Sequence, residues 1–290
     1  MADKKGKFRV GLVQMRSGRD IRDNLIEAEA FIRDAARKGA HFIQTPENTL
    51  LMEIEPARFF EKIAAEEGTE AISHFSRLAA ELRVWLHIGS IAIKETGNRA
   101  INRAFLFAPD GQIVVRYDKI HMFDVDLPSG ESYRESGTFI PGKTAYVAHL
   151  PWGALGVATC YDIRFPEQYK ALAKAGANFL TAPSAFTKVT GEKHWHILLR
   201  ARAIENGCFV FAAAQGGRHA NGRTTFGHSL VVSPWGEILA EAGTDPCAIV
   251  ADVDAADVDR MRARIPALDH TRDFDVKIVP LPKLALEAAE

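Results

Sequence analysis

Apolar residues fall along this chain in two alternating rhythms. Short runs rich in β-branched and aromatic residues, Phe8 to Gln14, His41 to Gln44, Val84 to Ile93 and Arg99 to Ala108, predict strands. Between them, Asn24 to Lys38 and Thr69 to Leu82 space their apolar side chains three and four apart. That spacing predicts amphipathic helices, the first stopped by Gly39. Thr45-Pro46 closes the His41 strand, because the residue before a proline is held extended and the proline has no N–H to continue a ladder. Pro109-Asp110-Gly111 supplies turn residues ahead of a further strand, Gln112 to Asp118.

The second half repeats the style without repeating the sequence. Ala145 to Leu150 and Leu155 to Thr159 read as strands around the turn Pro151-Trp152-Gly153. Phe165 to Ala175 and Glu192 to Asn206 read as helices, the latter closed by Gly207. Ala177 to Ala182, Cys208 to Ala214, Ser229 to Ser233 and Ala248 to Val253 complete the strands. No Gly/Ser-rich or Pro-rich linker and no fixed-period repeat interrupts this alternation. One α/β domain over residues 1–290 is the economical expectation, with residues from about 268 to 290, which lack periodicity, as an extension or tail.

Charge narrows the partners. The 36 basic and 37 acidic residues nearly cancel and form no polybasic run, so no nucleic acid is expected. No stretch of 18 consecutive apolar residues occurs, so no membrane span is expected, and the apolar run after the charged Met1 to Lys7 is too short for a signal-peptide core. Three cysteines, Cys160, Cys208 and Cys247, do not suit a disulfide framework and favour a reducing, cytoplasmic setting.

Among these, Cys160 is the candidate nucleophile. It ends the strand-like Gly156-Val157-Ala158-Thr159 and precedes a helix, so its thiol sits on a turn at the sheet edge. Backbone N–H groups are unpaired at such a turn, and that of Tyr161 is placed to hold an oxyanion. Cys208 and Cys247 lie in apolar strand contexts and read as structural. A thiol needs a base or cation nearby. None of the ten histidines is tied to Cys160 by spacing, zinc-type spacings are absent, and His194 and His196, two apart on a helix, point to different faces. Glu47, just beyond Pro46 at the carboxyl end of a strand, is better placed. Lys119 ends the Gln112 strand in a similar position.

Together these residues resemble the nitrilase superfamily, whose site is a Glu–Lys–Cys triad. Pro46-Glu47 matches the glutamate motif, and Tyr117-Asp118-Lys119-Ile120-His121 with Phe123-Asp124 the lysine motif. Gly156 to Glu167 matches the cysteine motif. The stretches from Pro183 to Thr187, from Arg200 to Glu205 and Pro234-Trp235-Gly236 are similar to the Nit branch, which includes deaminated glutathione amidase and omega-amidase. The resemblance implies a four-layer α-β-β-α sandwich that pairs into a homodimer or larger homo-oligomer. It also implies Glu135 as a second glutamate supporting Lys119, with Glu131 a close competitor by position.

The expected chemistry needs no metal and no organic cofactor. Glu47 takes the thiol proton, Lys119 and the Tyr161 N–H hold the oxyanion, and a thioester on Cys160 is hydrolysed by water, releasing acid and ammonia from a small-molecule amide. Lys119 is also expected to favour the thiolate. A carboxylate-bearing substrate asks for a forked cation, for which Arg164 is the candidate, its alternative being a salt bridge to Glu167 or Glu135. Phe186 and Thr190 are candidates for the pocket wall. Rival readings are an N-carbamoyl amidohydrolase, an aliphatic amidase or a nitrilase on the same scaffold, and a metabolite-binding or redox-sensing protein without activity.

Overall fold

The computed structural model describes residues 6–128 and 130–280. The predicted part of the charged opening before Gly6 and the last ten residues of the predicted tail lie outside the described residues. Two six-stranded sheets organise the chain. One runs in the order Cys247–Asp254, Lys7–Gln14, Phe42–Gln44, Trp85–Lys94, Ala100–Phe107 and Ile113–Asp118. The other runs Tyr146–Leu150, Gly153–Val157, Phe179–Thr181, Phe209–Ala212, Leu230–Val232 and Ile238–Glu241. Read in these directions, both sheets have the same pattern of pairing. An antiparallel edge strand leads into three parallel strands, and two antiparallel strands follow.

Side-chain alternation along the strands gives each sheet two apolar faces. The inner faces pack on each other: Phe8, Val10, Leu12, Phe42 and Leu106 of the first sheet share one core with Leu155, Val157, Phe179, Phe209 and Phe211 of the second. The outer face of the first sheet is covered by the helices Ile21–Arg37 and Glu70–Leu82 through Ile32, Ala35, Phe75 and Leu78. The outer face of the second is covered by Pro166–Lys174 and Lys188–Asn206 through Tyr169, Leu172, Trp195 and Leu199. The result is an α-β-β-α sandwich, the layering expected for the resemblance. No helix among the described residues is long and apolar enough to cross a membrane.

Most element ends move by one or two residues from their predicted positions. A larger difference is the helix Lys188–Asn206, which begins four residues before Glu192 because the Thr187 side chain caps it by accepting from the Thr190 N–H. The helices Pro56–Lys62 and Ala256–Arg264 and the strand Ile238–Glu241 were not expected. The first is short, and the others are polar or exposed, so periodicity carries little signal there. From Thr271 to Pro280 the chain forms neither helix nor strand, and Phe274, Val276, Ile278 and Val279 are exposed.

Two buried histidines make the fold sensitive to acid. The His87 ring hydrogen-bonds the Gln44 amide through Nδ1 at 3.0 Å, its Nε2 has no partner among the described residues, and burial lowers its pKa to about 3. His219, between the Ser17 carbonyl and the Thr225 hydroxyl, is lowered to about 4, again mainly by burial. In the unfolded chain both would take a proton near pH 6.5, so below that pH the unfolded state binds more protons. Stability present above about pH 6.5 is therefore lost as pH falls towards 4, by at most ~1.4 kcal/mol per pH unit for each histidine. Urea unfolding at pH 7, 6 and 5 should give a falling free energy, and His219→Gln should flatten the slope.

Candidate active site

Glu47, Lys119 and Cys160 follow three different strands and line one cavity of about 680 Å³. Glu47 lies three residues beyond Phe42–Gln44, Lys119 directly after Ile113–Asp118, and Cys160 three residues beyond Gly153–Val157. The two sheets close on each other at these strand ends through Gly89. A Cβ there would stand 2.3 Å from the Thr45 carbonyl oxygen and 2.5 Å from Pro183 Cβ, so the approach has no room for a side chain.

The Lys119 ammonium is the hub. Its Nζ donates to Glu47 Oε1 at 2.9 Å and to both oxygens of Glu135, at 2.9 and 2.8 Å. Only 2% of the Lys119 side chain is exposed, so these bonds stand in for its water shell. Glu135 also accepts the Phe123 N–H at 2.6 Å. Glu131, its competitor by position, lines the cavity wall and accepts from the Tyr133 hydroxyl at 3.2 Å. Two groups that sequence reasoning missed complete the cage. Asn102 Nδ2 donates to Glu47 Oε1 and Glu135 Oε1, and the Ala185 N–H donates to Glu47 Oε2 at 2.9 Å. Asn102 looks like an ordinary polar position in a strand, and a backbone donor leaves no mark in a sequence.

Cys160 adopts left-handed backbone geometry, φ 50°, which is unfavourable for a residue with a side chain and is held by its surroundings. Its own N–H is bound to the Pro183 carbonyl at 2.9 Å, while that of Tyr161 has no protein acceptor among the described residues. Buried Asp162 fixes this turn to the lysine strand. One carboxylate accepts from the Tyr117 hydroxyl at 2.5 Å, the Thr159 N–H at 2.9 Å, the His121 N–H at 3.0 Å and His121 Nδ1 at 2.8 Å.

Protonation follows from these neighbours. Burial pushes the Glu47 carboxyl up, but the charge and hydrogen bond of Lys119 outweigh it and hold the pKa below the usual carboxylate range. Lys119 is held well above the usual lysine value against its burial, chiefly by Glu135 and Glu47. Burial and then the Glu47 charge push the Cys160 thiol up, and Lys119 offsets this only in part. The resting set is therefore carboxylate, ammonium and neutral thiol. Lys119 acts in the expected direction, towards the thiolate, but burial and Glu47 outweigh it.

Phe186 and Thr190 line the cavity, as does Tyr161. Arg164 is not among the lining residues. Its guanidinium bonds His194 Nδ1 at 3.1 Å and lies over the Tyr161 and Phe186 rings, so neither the expected pocket position nor the alternative bridge to Glu167 or Glu135 is adopted. The tight turn after Cys160 directs this side chain to the helix Lys188–Asn206 instead. Arg223, from a loop that sequence reasoning passed over, lines the cavity. Away from the cavity, His196 and His228 converge on one oxygen of Glu241 at 2.8 and 2.7 Å, with ligand-capable atoms within 4.8 Å of one another. Residues 32 positions apart cannot be paired by helix spacing.

A fold of two helix-covered sheets with a buried Glu–Lys–Cys cluster at their strand ends defines a class of hydrolase. The carbon-nitrogen hydrolase family model matches residues 9–263, and the chain belongs to that family. It is similar to a deaminated glutathione amidase of Yersinia enterocolitica, 40% identical over 93% of this chain and 95% of that protein. It is also similar to the omega-amidase NIT2 of Homo sapiens, 34% identical over 95% of this chain and 99% of that one. Among solved structures, an amidase from Nesterenkonia sp. AN1 superposes with a TM-score of 0.78 at 26% identity, covering 94% of this chain and 96% of that one. That structure is a glutamate-to-glutamine mutant carrying the acetamide moiety of fluoroacetamide on its active-site cysteine. The chain is thus a hydrolase acting on amides.

Removing Asp162 tests how the turn is held. Asp162→Ala strands four donors, those of Tyr117 and Thr159 buried and the two of His121 half-buried, and should cost about 3–5 kcal/mol in urea unfolding. Tyr117→Phe deletes one donor of that set and should cost about 1 kcal/mol.

Proposed function

We propose that this enzyme hydrolyses the side-chain amide of a small carboxylate-bearing substrate, releasing ammonia from a 2-oxo acid omega-amide or the cysteinyl amine from deaminated glutathione, with a 2-oxo acid as the other product. The observation that carries the mechanism is the buried contact of Lys119 with Glu47 beside the Cys160 thiol. In this reading Glu47 takes the thiol proton as the sulfur adds to the amide carbonyl carbon. The resulting oxyanion is held by the Lys119 ammonium and the Tyr161 N–H. Glu47 then passes the proton to the amide nitrogen, the C–N bond breaks, and ammonia, or the cysteinyl amine of deaminated glutathione, departs to leave a thioester on Cys160. Water adds to that thioester, giving one proton to Glu47, and collapse expels the sulfur, which regains the proton as a thiol.

The neutral resting thiol supports a base-assisted attack and explains why a carboxylate is needed close to the sulfur. Glu135 serves this reaction indirectly, holding Lys119 charged and in place. The substrate class is supported by the names of the two amidase relatives and by a cavity within the usual range for small ligands. We further propose that the whole chain acts as one domain, in the cytoplasm, and as a homodimer or larger homo-oligomer. Ile197 and Ile204, exposed on the helix Lys188–Asn206, support the pairing, and sedimentation would test it.

Release of ammonia from 2-oxoglutaramate, N-carbamoyl amino acids and short nitriles, and of the free cysteinyl amine from deaminated glutathione, tests the reading. Deaminated glutathione and 2-oxoglutaramate should be the best substrates, and Cys160→Ala should lose activity by ~10⁴-fold or more. Lys119→Met should lose on the order of 10²–10³ in kcat. If the N-carbamoyl compounds were preferred, with carbon dioxide released beside ammonia, the substrate assignment would fail. A second measurement is the pH profile of kcat/KM. Because the Glu47 pKa is lowered, the base is present at neutral pH, and the acidic limb should lie below the ordinary glutamate value of about 4.3.

A further inference from the structure

We propose that Arg223 is the residue that anchors the substrate's carboxylate, a role that rests on the reading just given and assigns its specificity to one side chain. Three cations line the cavity. Lys119 is neutralised by Glu47 and Glu135, and Arg134 by both oxygens of Asp126, each at 2.8 Å. Arg223 differs from both: among the described residues no carboxylate lies within 4 Å of it. One of its terminal nitrogens, Nη2, donates to the Ala185 carbonyl, its Nε is buried without a partner, and its guanidinium lies 5.0 Å over the centre of the Tyr133 ring.

A guanidinium carries five N–H donors in a planar fork, and a wall that buries part of it leaves those donors poorly hydrated. A carboxylate is the group that satisfies such a fork in pairs of parallel hydrogen bonds, and the Tyr133 ring fixes the plane in which it must arrive. The position suits the reacting centre. Ala185 donates its N–H to Glu47 and accepts from Arg223 at its carbonyl, so one residue separates the carboxylate of the proton shuttle from the guanidinium. The charge of Arg223 reaches Glu47 and Tyr133 and opposes the effect of burial at each, although the Tyr133 hydroxyl remains above its ordinary value.

The loop that presents Arg223 is tied down on both sides. The His219 N–H bonds the Arg223 carbonyl at 2.8 Å, and Asn221 Oδ1 accepts the Arg223 N–H at 2.9 Å. Asn221 Nδ2 in turn bonds the Met52 carbonyl at 3.0 Å, joining this loop to the segment that follows Glu47. A substrate held here by its carboxylate therefore meets a cation whose position is set relative to the proton shuttle. Length discrimination follows, because the amide must reach Cys160 while the acid remains on Arg223.

The test compares kcat and KM for 2-oxoglutaramate and for its methyl ester, which has the same length and no charge, in the wild type, Arg223→Gln and Arg223→Lys. The wild type should prefer the acid, and Arg223→Gln should lower kcat/KM for the acid ~10²-fold further than for the ester, mainly through KM. Arg223→Lys, which keeps the charge without the fork, should fall between the two. Activity on the ester shows that each variant is folded. Equal losses on acid and ester would overturn the assignment, as would an acid preference kept by Arg223→Gln. A wild type indifferent to the charge would overturn the carboxylate-substrate reading itself and the role of Arg223 with it.

Discussion

A buried ammonium between two carboxylates governs this site. Lys119 has almost no access to water, and its charge is stable only because Glu47 and Glu135 face it from two sides. The same contact keeps Glu47 ionised although burial opposes it, and the charge on Glu47 then keeps the neighbouring thiol protonated. Three protonation states are set by one pair of ion contacts. Removing any partner would leave an uncompensated charge in a dry cavity, which explains why Asn102, Phe123 and Ala185 all spend hydrogen bonds on the two carboxylates.

The fold supplies this cluster by stacking two sheets of equivalent pairing pattern, so that the ends of strands remote in sequence meet. Gly89 lets the sheets close, and Asp162 binds the Cys160 turn to residues on either side of Lys119. The strained backbone at Cys160 persists because both of these constraints hold it. Rigidity of this kind suits a reaction in which a proton must move between sulfur, carboxylate and nitrogen without water competing for it.

Much of this was legible in the residues. Alternating apolar runs gave the strands, because each is buried on at least one face, and 3.6-residue periodicity gave the four helices that cover the sheets. Glu47, Lys119 and Cys160 stood out because each ends a strand, and chain ends of strands are where such sheets collect their chemistry. What escaped was whatever depends on tertiary closure. Arg223 follows Asn221-Gly222, a turn that reads as solvated surface until the loop folds over the cavity. Arg164 was placed by its nearness to Cys160 in sequence, whereas the turn carries it to His194. His196 and His228 meet Glu241 only because a helix packs on the edge of a sheet.

The central claim is covalent, and the most direct measurement is the mass of the protein during turnover. The wild-type enzyme mixed with 2-oxoglutaramate and quenched in acid during turnover should gain the mass of the substrate less ammonia, and peptide mapping should place the adduct on Cys160. Ammonia released with no adduct at any quench time, or an adduct on any other residue, would contradict it.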